Sequence, residues 1–94
     1  MPYALAVTHT AADDLDRLIQ SLRPEQRPQA LDAINNICTQ FGLRPQHRRG
    51  SPLSPPTFPI HFEVAGTRFY WAATYRISED ETTLVITHMF RVLL

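Results

Sequence analysis

The last third of the chain alternates between apolar and polar residues in a way that predicts a small β-sheet. Three runs rich in aromatic and β-branched residues occupy positions 60–64, 68–77 and 82–92, and polar turn segments separate them. Runs of this composition with a period of two indicate antiparallel strands joined by tight turns. Because successive side chains on a strand point to opposite faces, the pattern predicts one apolar face that needs a cover and one polar face in water.

Strict alternation along these strands assigns each residue to one of the two faces. The predicted apolar face contains Ile60, Phe62, Val64, Phe69, Trp71, Ala73, Tyr75, Ile77, Leu84, Ile86, His88 and Phe90. The predicted polar face contains His61, Glu63, Arg68, Tyr70, Thr74, Arg76, Thr87, Met89 and Arg91. We therefore expect the first face to be the core side of the sheet and the second to carry the chemistry.

The N-terminal segment predicts a strand followed by a helix. Residues 3–8 form a short apolar run, which is typical of a buried strand. Thr10, followed three residues later by Asp13, has the form of a capping box and predicts a helix over residues 11–22. The aspartates of this segment suit the positive end of the helix dipole, so we do not interpret them as metal ligands. They are Asp13, Asp14 and Asp16.

A second helix is predicted to start at Pro24 or Pro28 and to end at Gly42. Proline is well tolerated at the first helical position, and glycine commonly follows the last one. Its apolar stripe is Leu31, Ile34, Ile37, Cys38 and Phe41. The chain is therefore predicted to be one α+β domain, residues 1–94, of order β-α-α-β-β-β. We expect the helical hairpin to pack on one face of a mostly antiparallel sheet. If the first strand joins the sheet beside the last one, it pairs with that strand in parallel.

A proline-rich loop is predicted between the second helix and the sheet. Residues 43–59 hold five of the eight prolines and the basic sequence His47-Arg48-Arg49-Gly50. A connection of this length in a small domain is often functional, although a solvated loop without a function explains it equally well.

Composition narrows the possible functions without deciding among them. The formal net charge is zero, whereas a free-standing nucleic-acid-binding domain is usually basic. All nine basic residues are arginine, which suits bidentate phosphate contacts, although the base composition of the genome would explain this choice equally well. The single cysteine, Cys38, is expected to be a small buried residue of a cytoplasmic protein. No leader, membrane span, cofactor motif or metal motif is apparent.

The hairpin Gly66-Thr67-Arg68 leads into the run Trp71-Ala72-Ala73-Thr74-Tyr75-Arg76-Ile77, and the chain closes with Ile86-Thr87-His88-Met89-Phe90-Arg91. Together with the element order, these segments resemble the RelE/ParE superfamily of bacterial toxins. The resemblance implies the toxin of a type II toxin–antitoxin pair, with a cognate antitoxin as partner. RelE-like members cut messenger RNA on the ribosome, and ParE-like members inhibit DNA gyrase without nuclease activity.

The resemblance also implies roles for particular residues. Arg68 and Arg91 match arginines of RelE-like members, and we expect them to hold the phosphate. Here Phe90 precedes Arg91, where those members commonly have histidine, and the tyrosine that often follows is absent. On the predicted polar face, His61 is the expected acid or base. The expected RNA-binding residues are Arg48, Arg49, Tyr70 and Arg76.

Two hypotheses remain open at this point. The first is a ribosome-dependent endoribonuclease toxin. The second is a non-catalytic inhibitor, either directed at DNA gyrase or a degenerate relative that only binds its antitoxin. Cross-strand ion pairs involving Arg68, Glu63 and Arg76 would explain these charged residues without any catalytic role.

Overall fold

A computed structural model describes residues 3–43 and 56–93 of the chain. Its elements are β1 (Ala4–Val7), α1 (His9–Gln20), a 3₁₀ turn (Pro24–Gln26), α2 (Arg27–Leu43), β2 (Thr57–Val64), β3 (Thr67–Ile77) and β4 (Thr83–Arg91). The strands form one sheet of order β1-β4-β3-β2. Strand β1 pairs in parallel with β4, and the other pairs are antiparallel. The predicted α+β fold, its element order and the parallel pairing of the first strand are thus confirmed.

Both helices cover one face of the sheet, and the core lies between them. Side chains from α1, α2 and the three long strands form this core, and its largest fully buried members are Trp71, Ile60 and Leu84. Phe41 of α2 stacks on Phe58 of β2 with ring centroids 4.2 Å apart, which joins the second helix to the sheet. Within the described residues, no helix is long and apolar enough to cross a membrane.

Within residues 3–43 and 56–93, no helix packs against the other face of the sheet, which we call the open face. Its residues on β2, β3 and β4 are Thr57, Pro59, His61, Glu63, Arg68, Tyr70, Ala72, Thr74, Arg76, Val85, His88 and Phe90. Strand β2 begins at Thr57, three residues earlier than the pattern predicted. Pro59 is tolerated there because β2 is at the edge of the sheet, where a missing N–H breaks no ladder hydrogen bond.

Helix α1 begins earlier than the capping-box pattern predicted. Its N-cap is Thr8, whose hydroxyl accepts a hydrogen bond from Ala11 N at 3.1 Å, and no acidic residue lies in the first turn. The prediction based on Thr10 and Asp13 was therefore wrong. The Thr8 hydroxyl also donates a hydrogen bond to the Thr87 carbonyl at 3.0 Å, so the residue that caps α1 also contacts β4.

A β-bulge in β4 changes which residues reach the open face. Thr74 lies opposite His88 and Tyr75 lies opposite Ile86, so Thr87 is an extra residue on β4. The alternation is reversed beyond that point, as expected after a one-residue insertion. Met89 is buried on the helix side, with an exposed fraction of 5%, and Phe90 on the open face is 40% exposed.

Beyond the end of β1, the N-terminal part of α1 supplies hydrogen-bond partners to backbone groups at the edge of β4. Strand β1 gives way to the helix after Val7, and the next amide, Thr8 N, donates to the Ile86 carbonyl at 3.0 Å. Further along β4, the Met89 amide donates to Oδ2 of Asp14 at 3.1 Å. Because an unpaired backbone amide is costly to bury, these contacts stabilise β4 in its bulged form.

Candidate functional site at the end of the sheet

Three of the predicted site residues lie together on the open face, at the end of the sheet formed by the β2–β3 hairpin. The guanidinium of Arg68 lies 5.9 Å from the ring centroid of Tyr70. The imidazole of His61, directly across from Tyr70 on β2, meets the same ring edge-on at 5.0 Å. His61 and Arg68 are exposed and Tyr70 is half-buried, so a base, a phosphate or a carboxylate from outside can reach all three.

Arg91 approaches the same region from the helix side of the sheet. The predicted position of Arg91 on the polar face was wrong, because the bulge places it opposite Trp71 on the core side. There its guanidinium lies 3.4 Å from the hydroxyl of Ser21 at the end of α1. A cation at a helix C-terminus is favoured by the helix dipole, which helps to hold the side chain there.

Arg68 and Arg91 nevertheless share one hollow at the end of the sheet. The hollow has a volume of about 260 Å³, and Tyr70 and Val92 also line it. It forms because β4 ends at Arg91 whereas β3 extends back to Thr67, so the last strand leaves a gap beside β3. Two arginines that line one small hollow can supply several N–H donors to an anion with several oxygens, such as a phosphate.

Arg91 also lines a second hollow, of about 400 Å³, between the helical region and the β2–β3 turn. Gln26 and Phe69 are among its other lining residues. The turn itself consists of Ala65 and Gly66, which have φ angles of 51° and 84°. Arg91 and Phe69 therefore line both hollows.

The remaining predicted site residues do not join this cluster. Arg76 is exposed near the opposite end of β3, where it pairs with Val85, and it lies eight residue steps, or roughly 26 Å, along the strand from Arg68. Arg48 and Arg49 lie outside the described residues. The sheet thus carries arginines at both ends of its open face, and the two groups cannot contact one phosphate together.

Ion pairing does not neutralise the open-face arginines. Glu63 lies directly across from Arg68, but within residues 3–43 and 56–93 the one ion pair closer than 4.0 Å joins Asp14 and Arg17 on α1. The alternative explanation by cross-strand ion pairs is therefore wrong for Arg68 and Arg76 in this structure. In the same part of the chain, no three His, Cys, Asp or Glu side chains are close enough together to hold a metal ion.

The structure adds two residues to the open face that alternation had assigned to the core, His88 and Phe90. His88 is exposed, and its Nδ1 lies 3.3 Å from the Thr74 hydroxyl, which lies 2.7 Å from the hydroxyl of Thr87. The predicted burial of His88 and Phe90 was wrong. The sequence carries no clear signal for the bulge, because apolar residues occupy consecutive positions of β4 and fit either parity.

Two solved structures are similar to this chain over nearly its whole length. A chain of the toxin–antitoxin complex RelBE2 from Mycobacterium tuberculosis is 22% identical, with a TM-score of 0.54 and coverage of 98% of this chain and 100% of that one. The toxin RelE of E. coli, with two arginine-to-alanine substitutions and in the free state, is 12% identical. Its TM-score is 0.55, with coverage of 97% of this chain and 84% of that one.

No protein-family model matches the chain, and neither does any curated protein. Similarity at such low identity shows a shared fold. The resemblance to the RelE/ParE superfamily is therefore confirmed for the fold, and this chain has the architecture of RelE toxins.

Proposed function

We propose that this protein is the toxin of a type II toxin–antitoxin system and cuts messenger RNA on the ribosome. The observation that carries the proposal is the hollow shared by Arg68 and Arg91, on a fold similar to that of RelE toxins. Positive charge at the site of a developing phosphorane is a main requirement of RNA cleavage, because the transition state is more negative there than the ground state.

The cleavage chemistry assigns a role to each residue of the cluster. The 2′-hydroxyl attacks the adjacent phosphate, and the 5′-oxygen of the next nucleotide leaves. Arg68 and Arg91 stabilise the charge on the phosphate oxygens, and His61 takes the proton of the 2′-hydroxyl and gives a proton to the leaving 5′-oxygen. Tyr70 holds the nucleotide against the sheet. Arg76 contacts the RNA backbone further along the open face.

The proposal includes two further partners. We propose that Arg48 and Arg49 bind the phosphates of ribosomal RNA. We also propose that a cognate antitoxin holds the protein inactive in the cytoplasm, since the similar RelBE2 structure is a toxin–antitoxin complex. An antitoxin segment that covered the hollow of Arg68 and Arg91 would block the site directly.

Primer extension on a messenger RNA in a purified translation system tests the proposed function. The unaltered protein should create new 5′ ends only when ribosomes are present. Arg68→Ala and Arg91→Ala should each slow cleavage by about 100-fold or more, because each removes charge stabilisation from the transition state. Arg17→Ala is the matched control, because it removes the same charge from an exposed position on α1.

Two outcomes would contradict the proposal. An intact message in the presence of folded protein and ribosomes would refute nuclease activity and favour the non-catalytic alternative, which a DNA gyrase supercoiling assay then examines. Cleavage that Arg68→Ala, Arg91→Ala and Arg17→Ala all leave unchanged would show that the hollow is not the site of the chemistry.

A further inference from the structure

The ring of Phe90 has an unusual position for a large apolar residue. It is 40% exposed on the open face, although strict alternation would bury it. Within residues 3–43 and 56–93, every aromatic side chain except Phe90 has a neighbouring ring or another specific interaction such as a hydrogen bond. The exposed part of the Phe90 side chain is therefore open to an external planar group.

The cross-strand neighbours of Phe90 on the open face are apolar. Ala72 lies directly across from it on β3, and Pro59 lies across from Ala72 on β2. Ala72 is buried, so the accessible surface at this point belongs to its larger neighbours, Phe90 and Pro59, which are both exposed. Tyr70 lies one diagonal step away on the same face, about 7–8 Å between Cα atoms, which puts the two rings within reach of neighbouring bases.

Charge on the open face differs from the neutral balance of the whole chain. The charged side chains of this face on β2 and β3 are two arginines, Arg68 and Arg76, and one acidic residue, Glu63, whereas Arg91 lies on the helix side. The other acids of the described residues lie on the helical layer or in the β3–β4 turn. Arg68 and Arg76 lie at opposite ends of the open face, with Phe90 between them, so a polyanion lying along β3 would meet positive charge at both ends.

We propose that the open face binds a short stretch of single-stranded RNA with one base stacked on Phe90 and its phosphates held between Arg68 and Arg76. This inference rests on the proposed function and deepens it, because it names a base-contacting residue of the same face. Exposed rings on a β-sheet flanked by arginines bind single-stranded nucleic acid by stacking and backbone contact. The exposed imidazole of His88 lies on the same face two residues before Phe90, where it can reach a base edge.

Fluorescence anisotropy with two labelled oligonucleotides of six nucleotides tests the inference. One is an adenosine RNA, and the other is an abasic ribose-phosphate backbone of equal length and charge. Stacking on an aromatic side chain contributes roughly 5- to 150-fold in affinity per base. We expect Phe90→Leu to weaken binding of the adenosine RNA by at least about 5-fold. Binding of the abasic backbone should not change.

Two variants serve as controls for this measurement. Phe90→Tyr keeps the ring and should keep the affinity for the adenosine RNA. Leu31→Ala changes an apolar side chain of similar exposure, 42%, on α2, away from the open face, and should leave both affinities unchanged. Circular dichroism of each variant shows that the fold is retained.

Equal binding of the adenosine RNA by Phe90→Leu and the unaltered protein would overturn the inference and favour a protein contact for the ring. An unaltered protein with no preference for bases over the abasic backbone would also overturn it. The proposed function is judged separately by primer extension. A protein that binds bases through Phe90 but cuts no message keeps this inference and loses the nuclease activity.

Discussion

The hydrogen bond between Asp14 and the Met89 amide offers the sharpest test of how the site is assembled. This bond joins α1 to β4 just beyond the bulge, across 75 positions of sequence. The residues of β4 that follow the bulge include Phe90 on the open face and Arg91 at the hollow. Replacing Asp14 with alanine removes the acceptor and leaves the Met89 amide without a partner.

The expected loss of stability follows from the contacts of this carboxylate. A hydrogen bond to a charged group contributes about 1.5–3 kcal/mol. The ion pair with Arg17 adds little, because the Arg17 side chain is 76% exposed. We therefore expect Asp14→Ala to lower the free energy of unfolding by about 2 kcal/mol. In a domain of this size, such a loss lowers Tm by roughly 10 °C.

Urea unfolding followed by the fluorescence of Trp71, the single tryptophan and fully buried, measures this loss directly. Asp16→Ala is the matched control, because Asp16 is an exposed acid on the same helix. It should change the free energy of unfolding by less than about 0.5 kcal/mol. Hydrogen exchange of the Met89 amide gives a second readout, and its protection should fall in Asp14→Ala alone.

The pH dependence of this contribution has a definite sign. The hydrogen bond from Met89 N–H, with a smaller effect of Arg17, holds the pKa of Asp14 below its usual value of 3.8. A carboxyl whose pKa is lowered by folding contributes stability above its unfolded pKa and loses it as the pH falls through the folded pKa. The difference between the unaltered protein and Asp14→Ala should be full at pH 7 and should shrink below about pH 3.8.

Equal unfolding free energies for Asp14→Ala and Asp16→Ala at pH 7 would refute this reasoning. A difference that persists unchanged well below the pKa would refute the role of the ionised carboxylate and leave only packing as its cause.

Three further predictions concern the bulge, the hairpin turn and the cysteine. Met89→Ala should cost about 2–5 kcal/mol in urea unfolding and Phe90→Ala less than about 1 kcal/mol, and the opposite order would show that the bulge is absent. Ala65→Gly should stabilise the fold by up to about 1 kcal/mol, since alanine is strained at its φ of 51°, and a loss of stability would contradict that strain. Burial raises the pKa of Cys38 to about 11, so at pH 8 a thiol reagent should label it only as fast as the protein opens, and immediate labelling would contradict its burial.

The periodicity of the chain was sufficient to predict the elements and their layers. A period of two in the last third and a helical period before it are local properties, because each side chain must be either covered or exposed. The same argument placed Arg68, Tyr70 and His61 on one face without further information. It succeeded there because β2 and β3 pair without interruption from Thr57 to Val64.

The tertiary structure alone decided the faces of the last strand and the meeting of the two arginines. Leu84, Val85 and Ile86 are all apolar and buried, so hydrophobicity favours neither parity in β4. The bulge depends on partners far away in sequence, among them the Asp14 carboxylate, and no local pattern reports such contacts. Arg91 consequently lies on the helix side. It lines the same hollow as Arg68 because, at this end of the sheet, β4 stops at Arg91 whereas β3 continues to Thr67.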